Sequence, residues 1–285
     1  MTYSKNKVAA VQLVSGADVA ENLRNAGKLI AEAAHAGATL VVLPENFAVL
    51  DGGPLSQFAE LEGDDHALLQ GFLADQARIH KLFLLGGTIP LVSRPRTEMN
   101  STLDVITDGR VRPASLLFDP QGQLIARYDK MHLFDVQVDD KQATYSESSS
   151  FEAGDQVVAV DTPIARIGLT VCYDLRFPEL YRRLLDRQAE VITVPSAFTQ
   201  VTGAAHWEVL LRARAIENQC YVVAANQGGI HNQTRETFGH SMIIDPWGTI
   251  IACIEKGEGL AIATVDLDWL HKIRRRMPVA HHRRL

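Results

Sequence analysis

The sequence predicts an α/β protein built in layers. Two observations carry that prediction: short apolar runs of strand type alternate with longer amphipathic stretches, and two Asp-Pro-x-Gly turns each sit between apolar runs. Alternation of this kind buries sheets beneath helices. The run VAAVQLV at 8–14 reads as the first strand. Val19, Leu23, Ala26, Ile30 and Ala33 then recur at helical spacing, and TLVVLP at 39–44 reads as a second strand. The unit repeats. A helix from about His66 to His80 leads into LFLLGGTI (82–89), and a helix after Arg176, opened near Pro178, leads into VITVPSA (191–197). The turns Asp119-Pro120-Gln121-Gly122 and Asp245-Pro246-Trp247-Gly248 read as hairpins, because Pro presets φ and Gly is free to take positive φ. Hairpins in both halves mean that the sheets are not purely parallel. No polar linker separates independent cores, so one domain over residues 1–285 is expected.

Composition narrows the function. With 46% hydrophobic and 22% charged residues, the 285-residue chain has a globular composition and length enough for a large core. The 28 Lys and Arg against 34 Asp and Glu leave a net charge of -6, which gives no electrostatic reason to bind nucleic acid. Cys172, Cys220 and Cys253 are too scattered for a disulfide framework, which suits a reducing compartment. Asp18 and Glu21 arrive before any apolar run long enough for a signal peptide, and no stretch approaches a membrane span. A cytoplasmic location and no membrane partner are expected. The longest polar stretch, 135–155, reads as a loop, and such loops often carry function. From His271 to Leu285 the chain gathers Lys272, Arg274, Arg275, Arg276, Arg283 and Arg284 without an acidic residue. That tail reads as a solvated helix end, with a subunit interface as the sharper alternative.

Cys172 ends an apolar run at 166–172, just before the helix opened by Pro178. A strand-to-helix corner suits a nucleophile, since nearby helix-start N–H groups can stabilise a thiolate or an oxyanion. Cys220 and Cys253 read as small hydrophobes. Among the histidines, His132, His206, His231 and His240 fall near strand ends or loops, but their spacing selects none as a partner for Cys172. A buried carboxylate could serve as base instead, with a lysine to favour the thiolate and neutralise developing charge. Glu45 follows TLVVLP and Lys130 follows LIARYD, so both emerge at strand ends. Taken singly, each also fits an ordinary solvated charge. There is no H-E-x-x-H, G-x-S-x-G or P-loop, which disfavours zinc, serine and nucleotide chemistry.

Together, LVVLPENF (40–47), YDKMHLFD (128–135) and GLTVCYDLRFPELYR (168–182) resemble the nitrilase superfamily of carbon-nitrogen hydrolases. The similarity continues through VPSAFT (194–199), ARAIENQCYVVAANQ (213–227) and GHSMIIDPWG (239–248), nearly the entire chain. The resemblance implies a four-layer αββα sandwich that commonly pairs into homodimers or higher homo-oligomers. It also implies a catalytic triad of Glu45, Lys130 and Cys172, with Glu147 as a second glutamate that positions Lys130 or assists proton transfer. Glu45 would take the thiol proton and pass it to leaving ammonia. Lys130 and the Tyr173 backbone N–H would hold the oxyanion, and water would hydrolyse the thioester. No metal or organic cofactor is required.

Within the superfamily the motifs look most like the amidase branch acting on amides of 2-oxo acids, with deaminated glutathione ahead of 2-oxoglutaramate as substrate. Such a substrate carries a carboxylate, which Arg176 could bind, while Phe198 and Thr199 would line the pocket. Nitrile hydrolysis, acyl transfer and a non-catalytic binding scaffold are the alternatives.

Overall fold

The computed structural model describes residues 5–50, 55–62, 67–95 and 104–284, so His66 and Leu285, each at the end of an expected segment, lie outside it. The chain runs β1 (Lys5–Gln12), α1 (Val19–His35), β2 (Ala38–Val42), α2 (Leu55–Leu61), α3 (Leu68–His80), β3 (Phe83–Leu85) and β4 (Ile89–Leu91). It continues through β5 (Arg112–Phe118), β6 (Leu124–Asp129), β7 (Asp135–Gln137), β8 (Thr144–Ser146), β9 (Ala159–Asp161) and β10 (Arg166–Leu169). Next come α4 (Pro178–Asp186), β11 (Val191–Thr193), α5 (Gln200–Thr202), α6 (Glu208–Asn218) and β12 (Tyr221–Ala224). β13 (Ser241–Ile244), β14 (Ile250–Ile254), β15 (Gly259–Asp266), α7 (Leu267–Arg276) and α8 (Val279–His282) complete it.

Two sheets carry the fold. One has the order β15-β1-β2-β3-β5-β4 with β6 hydrogen-bonded to β5; the other runs β14-β13-β12-β11-β10-β9. The chain's last strand, β15, returns to pair antiparallel with the first, from Lys5↔Asp266 to Gln12↔Gly259. Successive residues of a strand face opposite sides, and the burial follows that period. Val8, Ala10, Leu40, Val42 and Leu85 share a core with Ile167, Leu169, Val191 and Val223 of the second sheet. Ala9, Val11, Val41 and Leu84 instead pack with Ala26, Leu29 and Ile30 of α1 and Leu69 and Leu73 of α3. Leu180 and Leu184 of α4 and Leu211 and Ala215 of α6 join the core on the second sheet's side. The result is a four-layer αββα sandwich. Central strands covered on both faces explain why they read as unbroken apolar runs.

Local chemistry sets the boundaries. Asp18 caps α1 by accepting the Glu21 N–H at 3.0 Å. Both Asp-Pro-x-Gly segments are hairpin turns, joining β5 to β6 and β13 to β14. In each, the aspartate Oδ1 accepts backbone N–H groups two and four residues on, and the glycine takes a positive φ. The polar stretch expected as a loop at 135–155 holds a small ribbon, β7 against β8, followed by a 3-10 turn at Glu147–Ser149. The described part of the basic tail packs on its own chain: Arg274 donates to the carbonyls of Gln219 and Ala189, and His271 approaches Glu190 at 3.2 Å. No helix among the described residues is long and apolar enough to cross a membrane.

Candidate active site

The three expected strand ends converge. Glu45 follows β2, Lys130 directly follows β6, and Cys172 lies beyond β10, so the first sheet supplies the carboxylate and the ammonium while the second supplies the sulfur. Lys130 Nζ donates to Glu45 Oε1 at 2.8 Å and to Glu147 Oε1 and Oε2 at 2.9 and 2.7 Å. Glu147 reaches the lysine from the 3-10 turn after the ribbon, and its Oε2 also accepts the Phe134 N–H at 2.8 Å. The other oxygen of Glu45, Oε2, accepts the Ala197 N–H at 2.9 Å, a bond that crosses from one sheet to the other. Gln227 adds a second crossing by donating to the Glu45 carbonyl at 3.1 Å. The Glu45 carboxylate is thereby held from both sides at a fixed angle.

Cys172 opens a 3-10 turn, Cys172–Arg176, and α4 begins only at Pro178, so the nucleophile candidate stands at a tighter corner than a simple strand-to-helix junction. Its φ is +48, a left-handed conformation that a non-glycine residue adopts at a cost of about 1–3 kcal/mol. Two sets of bonds stabilise it there. The Cys172 N–H donates to the Pro195 carbonyl at 2.8 Å. Asp174, fully buried, accepts from the Val171 N–H at 2.8 Å, the Tyr128 hydroxyl at 2.6 Å and the His132 N–H at 3.1 Å. The His132 ring Nδ1 lies 2.6 Å from the same carboxylate. Asp174 therefore ties the cysteine turn to the segment that carries Lys130.

The histidines are engaged elsewhere. His132 stacks on Phe177 with centroids 3.7 Å apart, His206 meets Arg176 at 3.2 Å, and His231 bonds Ser15 and Thr237. His240 bonds the Phe238 carbonyl at 3.0 Å. None of the four replaces Glu45 as the group beside the thiol.

Electrostatics describe the resting state. Burial pushes the Cys172 thiol well above its ordinary range, and the Glu45 charge raises it further against the pull of Lys130. Burial also opposes the charge on Lys130, but Glu147 and then Glu45 outweigh it and hold the ammonium. Burial raises the Glu147 carboxyl, with Lys130 pulling the other way. The directions of these shifts favour a neutral thiol at Cys172 and a charged ammonium at Lys130, which hydrogen-bonds the Glu45 and Glu147 carboxyl groups.

These groups open into a cleft of about 320 Å³ lined by Glu45, Glu147, Cys172, Tyr173, Phe198 and Thr199, with Asn46, Phe134, Ala197, Thr202 and Arg235 completing the wall. Tyr173, Phe198 and Thr199, named from the sequence, are among the lining residues. Arg176 does not line the cleft. Its guanidinium lies over the Tyr173 and Phe198 rings at 5.7 and 5.2 Å, behind two residues that do. Phe134 and Arg235 escaped the sequence reading. Phe134 sits inside the lysine motif, and the fold brings its ring to that of Tyr173, with centroids 5.0 Å apart. Arg235 lies in a loop after β12 with no motif around it, and only folding brings it to Ala197.

Comparison with known proteins shows the family and the fold. The carbon-nitrogen hydrolase family model matches residues 7–275. The deaminated glutathione amidase of Yersinia enterocolitica is 42% identical over 277 residues, which are 97% of this chain and 92% of that protein. Among solved structures, the C. elegans NitFhit protein superposes with a TM-score of 0.84 at 36% identity, covering 100% of this chain, which spans 66% of that one. Saccharomyces cerevisiae Nit3, a member of branch 10 of the nitrilase superfamily, gives a TM-score of 0.83 at 30% identity over 100% of this chain and 98% of its own. The chain belongs to the carbon-nitrogen hydrolase family.

Proposed function

We propose that this protein is a cysteine-dependent amidase that hydrolyses the amide C–N bond of a small 2-oxo-acid amide, with deaminated glutathione as substrate ahead of 2-oxoglutaramate. The observation that carries the reading is the buried ammonium of Lys130 held between Glu45 and Glu147, two carboxyl groups that line one cleft together with Cys172. Relatives named deaminated glutathione amidase support the choice of substrate.

In this reading Glu45 takes the Cys172 proton as sulfur attacks the amide carbon. Lys130 and the Tyr173 N–H stabilise the oxyanion, and Glu45 returns the proton to the departing nitrogen. Water, deprotonated by Glu45, then cleaves the thioester. Glu147 acts as a positioning residue for Lys130, since it contacts the ammonium and a backbone N–H. With 2-oxoglutaramate the leaving group is ammonia, as the sequence reading expected. With deaminated glutathione cleaved at its 2-oxoglutaryl amide it is the dipeptide cysteinylglycine, so ammonia release alone would miss it.

The core shared by both sheets supports reading residues 1–285 as one hydrolase domain. Exposed Val209 and Ile216, about two helical turns apart on α6, and Trp247 in the neighbouring hairpin turn support a homo-oligomer. A cytoplasmic location fits three free cysteines.

The test supplies purified protein with deaminated glutathione and with 2-oxoglutaramate and follows 2-oxoglutarate. The wild type is expected to form it from both, faster from the former, and Cys172→Ser to keep the fold and lose at least about 10³-fold in turnover. Hydrolysis of neither substrate, or a Cys172→Ser rate equal to wild type, overturns the proposal.

A further inference from the structure

We infer that Arg235 is the carboxylate-recognising residue of the cleft, which makes the site selective for amides that carry a carboxylate. The inference rests on the amidase reading and deepens it. Charge bookkeeping poses the problem: Lys130 is already committed to two carboxylates, so that cluster is formally negative while the thiol is protonated, inside a protein of net charge -6. An anionic substrate entering this cleft meets repulsion unless another cation offsets it.

Arg235 is the one cation among the described residues that line the cleft. Its Nη2 donates to the Ala197 carbonyl at 3.0 Å and its guanidinium lies 4.8 Å over the Tyr145 ring. These contacts fix the plane of the group while using few of its five donors. No carboxylate among the described residues makes an ion pair with it. The nearest acid by connection, Asp140, lies beyond Tyr145, bonded to that hydroxyl at 2.8 Å and to the Gln142 and Ala143 N–H groups. A cation that is oriented, half-buried and without an anion is suited to a bidentate carboxylate.

Its placement couples recognition to chemistry. The carbonyl of Ala197 holds Arg235, and the N–H of the same residue holds Glu45. A carboxylate bound at Arg235 is thereby set at a defined separation from the base. The loop that carries the arginine is itself built: Asn232 Oδ1 accepts the Arg235 N–H at 2.7 Å, and the Arg235 carbonyl accepts the His231 N–H at 3.0 Å. Arg176, by contrast, leans on His206 outside the cleft lining.

Deaminated glutathione has a carboxylate at each end, at the 2-oxo acid and at the glycine, and the experiment separates them. Wild type, Arg235→Ala, Arg235→Gln and Arg235→Lys are assayed for kcat/KM on deaminated glutathione, on its C-terminal glycinamide and on an uncharged aliphatic amide. The preference of deaminated glutathione over the uncharged amide is expected to fall about 10- to 100-fold in Arg235→Ala, mainly through KM, and to recover in part in Arg235→Lys. A loss that vanishes with the glycinamide assigns Arg235 to the glycine end; one that persists assigns it to the 2-oxo acid. Arg235→Gln carries the same comparison if the alanine variant does not fold. An equal loss on all three substrates shows that Arg235 only braces Ala197 and overturns the inference, as does an unchanged preference. Wild type inactive on every amide overturns the amidase reading instead.

Discussion

At the scale of single residues, the site depends on a buried charge count. Lys130 is fully buried, and its ammonium is the only counter-charge hydrogen-bonded to Glu45 and Glu147 among the described residues. Lys130→Met would leave two carboxylates facing each other in the same low-dielectric space. Removing one partner of a buried pair typically costs about 3–5 kcal/mol, so the variant is expected to lose that much in denaturant unfolding along with its activity. The sign of its pH dependence follows. A carboxyl whose folded-state pKa is raised, as burial raises that of Glu147, takes a proton before the unfolded chain does, so Lys130→Met should gain stability as the pH falls. A variant as stable as wild type at pH 8 would show that the cluster is not a charge-balanced unit. The sequence placed Glu45, Lys130 and Cys172 at strand ends, but only three motifs taken together singled them out, because one strand-end charge looks like any other.

At the scale of elements, the segment that delivers Glu147 is fastened downstream by Glu152. Arg94 donates to it at 2.7 and 2.8 Å and Arg112 of β5 at 2.9 Å, while the Glu152 N–H donates to the Val111 carbonyl. These arginines, Arg94 first, hold the Glu152 carboxyl down to about 2. A depressed carboxylate contributes stability above its unfolded pKa and loses it as the pH falls through the folded one. Between about pH 4.5 and 2 the unfolded chain binds a proton that the folded state refuses, and roughly 1–2 kcal/mol should be lost after discounting solvent screening. Glu152→Gln is expected to be less stable at pH 7 and to show a shallower acid limb in thermal unfolding. An unchanged limb would remove Glu152 from the account. This ion-pair cluster was invisible in sequence, since Arg94, Arg112 and Glu152 are far apart in the chain. The ribbon of β7 and β8 was equally hidden: strands of three residues in a polar stretch give no periodicity to read.

At the scale of the whole molecule, the long strands and helices were legible because both faces of each sheet are covered, which turns a strand into a continuous apolar run and a helix into a one-sided stripe. The layered class followed from that pattern alone. The pairing of two sheets did not; it came from family resemblance, and the coordinates show its physical basis in the core shared by Val8, Leu40, Ile167 and Val223. The proposed mechanism depends on this pairing. Glu45 and Lys130 follow strands of one sheet and Cys172 a strand of the other, and the bonds donated by the Ala197 N–H to Glu45 and by the Tyr128 hydroxyl and His132 N–H to Asp174 fix their separation.

The most direct test of the account is mass spectrometry of the protein quenched in acid during turnover of deaminated glutathione. A 2-oxoglutaryl group is expected as a thioester on the peptide containing Cys172. Product formed at full rate with no acylated cysteine, or with the label on Cys220 or Cys253, would contradict it.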